Sequence, residues 1–256
     1  MADQTTWTGR VALVTGAGSG IGAATVRRFH ELGGTVVLLD LAAERAERVR
    51  AELEDGRSLV IAGDVSDSDD VARAVAAAST TFGGLDVLVN NAAVGSAALV
   101  EDYDPDDWRR VMGTSLGGVL NGIKHGAPVM RARGGGSIVN LSSVAAQHAM
   151  PTMSAYAAAK AAVEAVTRCA AIELREDGIR VNAVAPGMIR SHAAAASVPV
   201  LDRAMRPSFD SFLSDRQGRW GEPDEVASVI AHLAGKEASF VTGQTYVVDH
   251  GASLLL

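Results

Sequence analysis

Tyr156 and Lys160 are the residues of this sequence best spaced to do chemistry together. Four positions apart on a helix, they share a face one turn from each other. A free phenol titrates near 10, too high for a base at neutral pH, and a neighbouring ammonium favours the phenolate by roughly 1.4 kcal/mol for each unit of lowering. With three Tyr and three Lys in 256 residues, chance supplies only on the order of a few hundredths of such a pair. The chemistry that suits the pair is acid/base work at the oxygen of a carbinol or carbonyl. Ser143 closes an apolar run, and its hydroxyl could hold that oxygen.

A second constellation is Thr15-Gly16-Ala17-Gly18-Ser19-Gly20-Ile21-Gly22. Its glycines permit a tight turn and a close approach of backbone to a pyrophosphate. The helix behind it offers free N–H groups and a positive dipole end. A glycine-rich turn could be mere structure, but this one follows the first strand and opens a helix, which points to a dinucleotide. Asp40 ends the next strand, 18 residues after Gly22. A carboxylate there can accept from the ribose hydroxyls of NAD and repel the extra phosphate of NADP; it could instead cap a helix from Ala42 onward. No Arg or Lys occupies positions 17–19 or 41–43. Asp64-Val65, after the third strand, reads equally as an adenine contact or as a loop Asp.

Short apolar runs alternate with helical stretches. Strands are expected at Val11–Thr15, Thr35–Asp40, Leu59–Ala62, Val87–Asn90, Ser137–Leu141, Ile179–Val184 and Thr245–Val248. Helices are expected up to about Leu32, over Ala42–Glu54 and Val71–Phe82, from Asp104-Pro105 to about Ala132, over Ser154–Glu176, and from Glu222-Pro223 to near Gly235. This alternation predicts an α/β fold, a parallel sheet with helices on both faces in a single domain over residues 1–256. The stretch 190–218 breaks the rhythm and reads as a substrate lid within that domain.

Composition narrows the classes. Hydrophobic residues are 48% and aromatics 4%, which suits Ala/Val/Leu helices packed on a Val-rich sheet. Net charge is −7 with three Lys, so no basic patch follows a nucleic-acid backbone. The first nine residues are polar and lack the apolar centre of a secretion signal, and no apolar run spans a membrane. The one cysteine, Cys169, cannot form an internal disulfide, so a reducing cytoplasm is the expected setting. Cys169 itself reads as a small core residue of the long helix. The six histidines show no metal-ligand spacing, and no metal is expected.

Over about Arg10 to Gly251 the chain resembles the short-chain dehydrogenase/reductase family. The resemblance is carried by T-G-A-G-S-G-I-G at Thr15–Gly22, N-N-A at Asn90–Ala92, Ser143, Y-A-A-A-K at Tyr156–Lys160 and P-G at Pro186–Gly187. It implies a seven-stranded doubly wound Rossmann-type fold and a nicotinamide cofactor held by Gly16, Ser19, Gly20, Ile21, Gly22 and Ala92. It implies that Tyr156 is the acid/base, that Ser143 steadies the substrate oxygen, and that Lys160 binds the nicotinamide ribose and lowers the Tyr156 pKa. Pro186, Gly187, Ile189 and Ser191 would lie at the carboxamide, and Asn91 would support the central strands. It further implies a homotetramer, with the Ala-rich helix around Ala157–Ala165 and the segment Val247–Leu256 as contact surfaces.

Three departures stand out. Position 93 is Ala where the family usually has Gly, so the turn is expected to differ locally. Asp249-His250-Gly251 replaces D-G-G, which adds a polar group near a subunit contact. In Ser115-Leu116-Gly117-Gly118, Ser115 replaces the Asn that is the family's fourth catalytic residue, which puts the water-mediated proton relay in question.

The reaction expected is reversible hydride transfer between NAD(H) and a secondary alcohol/ketone pair. The pocket is expected to hold Val94, Ser96, Ala145, Gln147, His148, Met150, Met153 and Met188, mostly small or apolar. A modest, largely uncharged small-molecule substrate follows, cyclic ones included; Arg190, Arg203 and Arg206 leave an anionic one open. His148 and His192 lie on pocket segments. The rival reading is a non-catalytic nucleotide-sensing or structural protein on the same fold, which the intact Ser143, Tyr156 and Lys160 oppose. A sugar epimerase or dehydratase would space its glycines differently.

Overall fold

A computed structural model of the chain describes residues 7–53, 56–191, 198–202 and 208–255. Seven strands form one parallel sheet: β1 Val11–Thr15, β2 Thr35–Asp40, β3 Ser58–Ala62, β4 Val87–Asn90, β5 Gly136–Leu141, β6 Ile179–Pro186 and β7 Thr245–Val248, in the order β3-β2-β1-β4-β5-β6-β7. Along β1 the side chains alternate. Ala12 and Val14 enter one apolar cluster, Val11 and Leu13 the other. Because both faces are covered, the strand reads in sequence as one unbroken apolar run.

One face carries α1 (Gly20–Glu31) and α8 (Pro223–Ala234), through Val26 and Phe29 and through Val226, Ile230 and Leu233. Phe29 is fully buried and stacks on Trp7 with ring centroids 4.3 Å apart. The other face carries α3 (Ser68–Phe82), α5 (Gly118–Ala132) and α6 (Ser154–Glu173). The shorter helices are α2 (Ala43–Ala51), α4 (Pro105–Met112) and α7 (Phe209–Phe212). α3 starts earlier than the apolar pattern suggests, because Asp67 caps it by accepting from Asp69 N.

The long helix expected from Asp104-Pro105 to Ala132 is interrupted. A π-helical turn, Gly113–Gly117, separates α4 from α5. Such turns cluster at functional sites, and this one contains Ser115.

Strand order reverses between β1 and β4, so the connections leaving their ends run to opposite faces and open a crevice there. Thr15 bridges its two sides. Its Oγ1 accepts from Asn91 N and Ala92 N, each at 3.0 Å.

Cys169 corrects the sequence reading. It is exposed, on the outward face of α6 with Ala158, Ala161 and Ala165, while Val163, Thr167, Ala170 and Ala171 turn inward. In a helix this rich in alanine, the sequence gives little contrast between the two faces.

Candidate active site

The glycine loop is built for close approach. Gly16 has φ +62°, and a Cβ on Gly22 would lie 2.1 Å from Gly16 O, so loop and helix touch backbone to backbone. Ser19 stands at the N-cap of α1 in extended conformation without capping the helix through its side chain, and the first turn carries no acidic residue. The first N–H groups are thus left to an outside acceptor. Asn91 pins the loop from β4, donating from Nδ2 to Thr15 O at 2.8 Å and to Gly16 O at 3.2 Å. A pyrophosphate fits this cradle of free donors and missing side chains.

Asp40 is buried at the end of β2. One carboxylate oxygen accepts from Gly18 N at 2.8 Å and the other from Ala42 N at 2.9 Å. Asp40 thereby faces the glycine loop and also orders the turn into α2; the cap residue itself is Ala42. A basic residue does stand close to the loop: the Arg45 Cβ would be 2.7 Å from a Cβ on Gly18. Asp64 accepts from both Ser66 N and Ser66 Oγ at 2.8 Å, and Val65 is buried in the apolar cluster that includes α5. Ala93 stays out of the left-handed region. Ile189 is buried and bridges to Gly221, Gly187 N donates to Val248 O, and Ser191 Cβ would lie 3.4 Å from a Cβ on Gly20. The loop after β6 and the glycine loop therefore meet.

α6 carries Tyr156 and Lys160 to the end of β5. The Lys160 Nζ lies 5.6 Å from the centre of the Tyr156 ring. It donates to Leu141 O at 2.6 Å, and its side chain is buried. Burial lowers the Lys160 pKa from 10.5 to about 8. The Tyr156 phenol is pushed up by burial, against a smaller downward pull from the hydrogen bond with Ser143. In this state desolvation decides the direction, and no lowering by Lys160 accompanies it. Ser143 is extended, and its Oγ also accepts from Ala145 N at 3.2 Å. Ser143 and the Tyr156 phenol thus lie together at the sheet's C-terminal edge, with the Lys160 amine on the ring side of the phenol. A phenol and a hydroxyl aimed together there can hold an oxygen and exchange a proton with it.

Ser115 is fully buried. Its hydroxyl donates to Val94 O at 3.1 Å and accepts from Val94 N at 3.2 Å. Val94 and Tyr156 both pack against the cluster of Val111, Ala155 and Ala159.

Sequence reading missed the side chains that hold this centre in place. Asn90 and Asn140 face each other in register on β4 and β5, and Asn90 Nδ2 donates to Asn140 Oδ1 at 2.8 Å. Asn140 Nδ2 donates to Thr167 Oγ1 at 2.9 Å, locking α6 to the sheet. An Asn in each of two apolar runs was the available signal. Gln217 is buried too: its Oε1 accepts from Met188 N and its Nε2 donates to Met188 O, both at 2.8 Å. His250 Nδ1 lies 2.7 Å from Gln217 O, at a strained φ of +55°.

Of the expected pocket residues, Met150, Met153 and Met188 pack against Leu201, Phe209, Leu213 and Trp220. Ser96 donates to Asp107 instead, and Gln147 turns to Glu164. Arg190 is exposed and paired with Glu222 at 2.9 Å. His192, Arg203 and Arg206 lie outside the described residues. Among the described residues there is no His/Cys/Asp/Glu group able to hold a metal, and no helix is long and apolar enough to cross a membrane.

Residues 16–253 match a family model described as Enoyl-(Acyl carrier protein) reductase. The chain is 44% identical over 245 residues to a cis-4-hydroxycyclohexanecarboxylate dehydrogenase of Sinomonas cyclohexanicum, covering 94% of this chain and 96% of that one. It is 37% identical over 243 residues to a cyclohexanol dehydrogenase of Acinetobacter sp. (strain SE19), covering 94% and 93%. The crystal structure of levodione reductase superimposes with a TM-score of 0.92 at 34% identity, covering 98% of this chain and all of that one.

Proposed function

We infer the activity from one premise: the chain belongs to the short-chain dehydrogenase/reductase family. It is an oxidoreductase acting on CH–OH groups, interconverting a secondary alcohol and a ketone with a nicotinamide cofactor. The non-catalytic reading is set aside, since the relatives named are dehydrogenases and reductases.

Within that reaction, Tyr156 is the acid/base. The observation that carries this is the placement of the Tyr156 phenol between Ser143, which pulls its pKa down, and Lys160, whose Nζ lies 5.6 Å from the ring centre. Ser143 holds the substrate oxygen. For ketone reduction the buried phenol, kept neutral by desolvation, gives its proton to that oxygen. For oxidation it must first be ionised and then takes the hydroxyl proton. Lys160 would bind the nicotinamide ribose. The residues that would hold the dinucleotide are Gly16, Ser19, Gly20, Ile21 and Gly22 at the pyrophosphate and Asp40 at the adenosine ribose. Asp64, Val65, Asn91 and Ala92 lie along it, with Pro186, Gly187, Ile189 and Ser191 at the carboxamide. When bound, the cofactor supplies or accepts the hydride.

NAD(H) is the cofactor proposed, on the strength of the Asp40 carboxylate facing the glycine loop. The substrate proposed is a modest, uncharged, cyclic secondary alcohol. The methionines packed beside Trp220 support an apolar wall, and the names of two relatives support the ring. Segment 190–218, of which residues 192–197 and 203–207 lie outside the described residues, would be its lid. Exposed Leu120 on α5 and Ile172 on α6, with Leu254 and Leu255 near the end, support assembly as a homotetramer. The free, exposed Cys169 thiol suits a reducing cytoplasm. The experiment is a panel of cyclic and acyclic secondary alcohols with NAD⁺, and the matching ketones with NADH, followed by nicotinamide absorbance. Turnover of neutral cyclic members is expected; a panel with no turnover in either direction would reject the reading.

A further inference from the structure

Glu164 sits on α6 one turn beyond Lys160, buried at 7% exposure. Among the described residues no Lys, Arg or His pairs with it. An unpaired carboxylate below a protein surface is costly unless hydrogen bonds hold it. At a helix position facing the core, an apolar side chain would pack without that cost. The hydrogen bonds that hold Glu164 all come from one corner of the fold. Ser142 Oγ lies 3.0 Å from Glu164 Oε1, and Gln147 Nε2 lies 3.1 Å from Oε1 and 3.2 Å from Oε2.

Ser142 and Gln147 lie one residue before and four residues after Ser143. Between them runs the 3₁₀ turn Val144–Ala146, whose first cap is Ser143 itself. The same corner is tied to the preceding turn of α6. Ser142 Oγ is 3.2 Å from Lys160 O, and Lys160 Nζ returns to Leu141 O. The Lys160 shift comes from burial, and the side chains that Glu164 contacts are Ser142 and Gln147.

We propose that Glu164 is a positioning residue for Ser143: by receiving Ser142 on one side and Gln147 on the other, it fixes the corner that carries the Ser143 hydroxyl. A carboxylate suits the task because it only accepts: its Oε1 can take the Ser142 hydroxyl, which it shares with Lys160 O, while both of its oxygens lie within reach of the Gln147 amide. The proposal rests on the reading of Ser143 as the holder of the substrate oxygen. A donor aimed at a reacting oxygen is worth about 10²- to 10³-fold when removed, so a small displacement of this corner is visible in kcat.

The test is a charge swap in the full-length enzyme. Gln147 is exposed, so Gln147→Glu is free to fold, and it sets two carboxylates against each other. Expected for Gln147→Glu is a fall in kcat of about tenfold or more, with NADH affinity, from fluorescence titration, unchanged. Glu164→Gln keeps one acceptor and loses less. In the double variant Gln147→Glu/Glu164→Gln, the new amide donates to the new carboxylate and still accepts from Ser142, so most of the lost kcat returns. A Gln147→Glu enzyme with wild-type kcat, or a double variant no better than Gln147→Glu, would overturn the proposal while leaving the dehydrogenase reading intact. A wild-type enzyme inactive on every alcohol and ketone would remove both.

Discussion

The Ser115 hydroxyl satisfies both backbone polar atoms of Val94, donating to its carbonyl at 3.1 Å and accepting from its N–H at 3.2 Å. The π-helical turn carries Ser115, and the clamp fixes Val94 against the apolar cluster on which Tyr156 also packs. A relay of protons through the hydroxyl would first have to break the clamp. Ser115→Ala is therefore expected to lower activity less than tenfold, under about 1.4 kcal/mol of barrier. It should lower stability by about 1 kcal/mol, because two half-buried backbone groups lose their partner. pH–rate profiles of wild type, Ser115→Ala and Ser115→Asn on one substrate check this. A Ser115→Ala enzyme as inactive as Tyr156→Phe would make the hydroxyl a full catalytic member.

Cofactor choice turns on Asp40. Wild type should favour NAD⁺ over NADP⁺ by at least about tenfold in kcat/KM, equivalent to about 1.4 kcal/mol, since a 2′-phosphate would meet a buried carboxylate. Asp40→Asn removes the charge and should narrow the gap, helped by Arg45 at the start of α2. Equal use of both cofactors by the wild type would sink the role given to Asp40.

Lys160 makes stability depend on pH. Burial depresses its pKa from 10.5 to about 8, so between those values the unfolded chain holds a proton that the folded protein has released. Stability therefore rises with pH through that window. Below pH 8 both states are protonated, and burying the ammonium costs on the order of 3 kcal/mol. In urea unfolding, the stability of wild type relative to Lys160→Met should climb between pH 8 and 10.5. A pH-independent difference would contradict the assignment.

Thr152 is held at φ +68°, where a β-branched residue is strained, and its hydroxyl is buried without a partner. Its carbonyl accepts from Ala98 N, so the turn joins the loops after β4 and β5. Thr152→Gly keeps that bond and removes strain and orphan together. A gain of about 1 kcal/mol is expected, or about 2–4 °C in Tm. A lower Tm would show that the methyl and hydroxyl contribute more than the strain costs.

Much of this was legible in the sequence, for physical reasons. Strands covered on both faces become apolar runs, so β1 and β4 fall where the pattern puts them. Tyr156 and Lys160 declare themselves because one helix carries both. The π turn at Gly113–Gly117 stayed hidden because a single widened turn barely disturbs helical periodicity. The ties Asn90–Asn140–Thr167 and Ser142–Glu164–Gln147 stayed hidden because each joins different elements, and only the packed sheet brings them together. Gln147 read as a pocket residue for the same reason: its partner lies 17 positions away on α6.

The central claim is that Tyr156 exchanges the proton at the substrate oxygen, and Tyr156→Phe tests it most directly. The substitution removes one hydroxyl and keeps the ring that packs against the cluster of Val111, Ala155 and Ala159. On a secondary alcohol that the wild type oxidises with NAD⁺, kcat/KM should fall by about 10²- to 10⁴-fold, with NADH affinity largely unchanged in a fluorescence titration. A Tyr156→Phe enzyme within tenfold of wild type would contradict the account and assign the proton to another group.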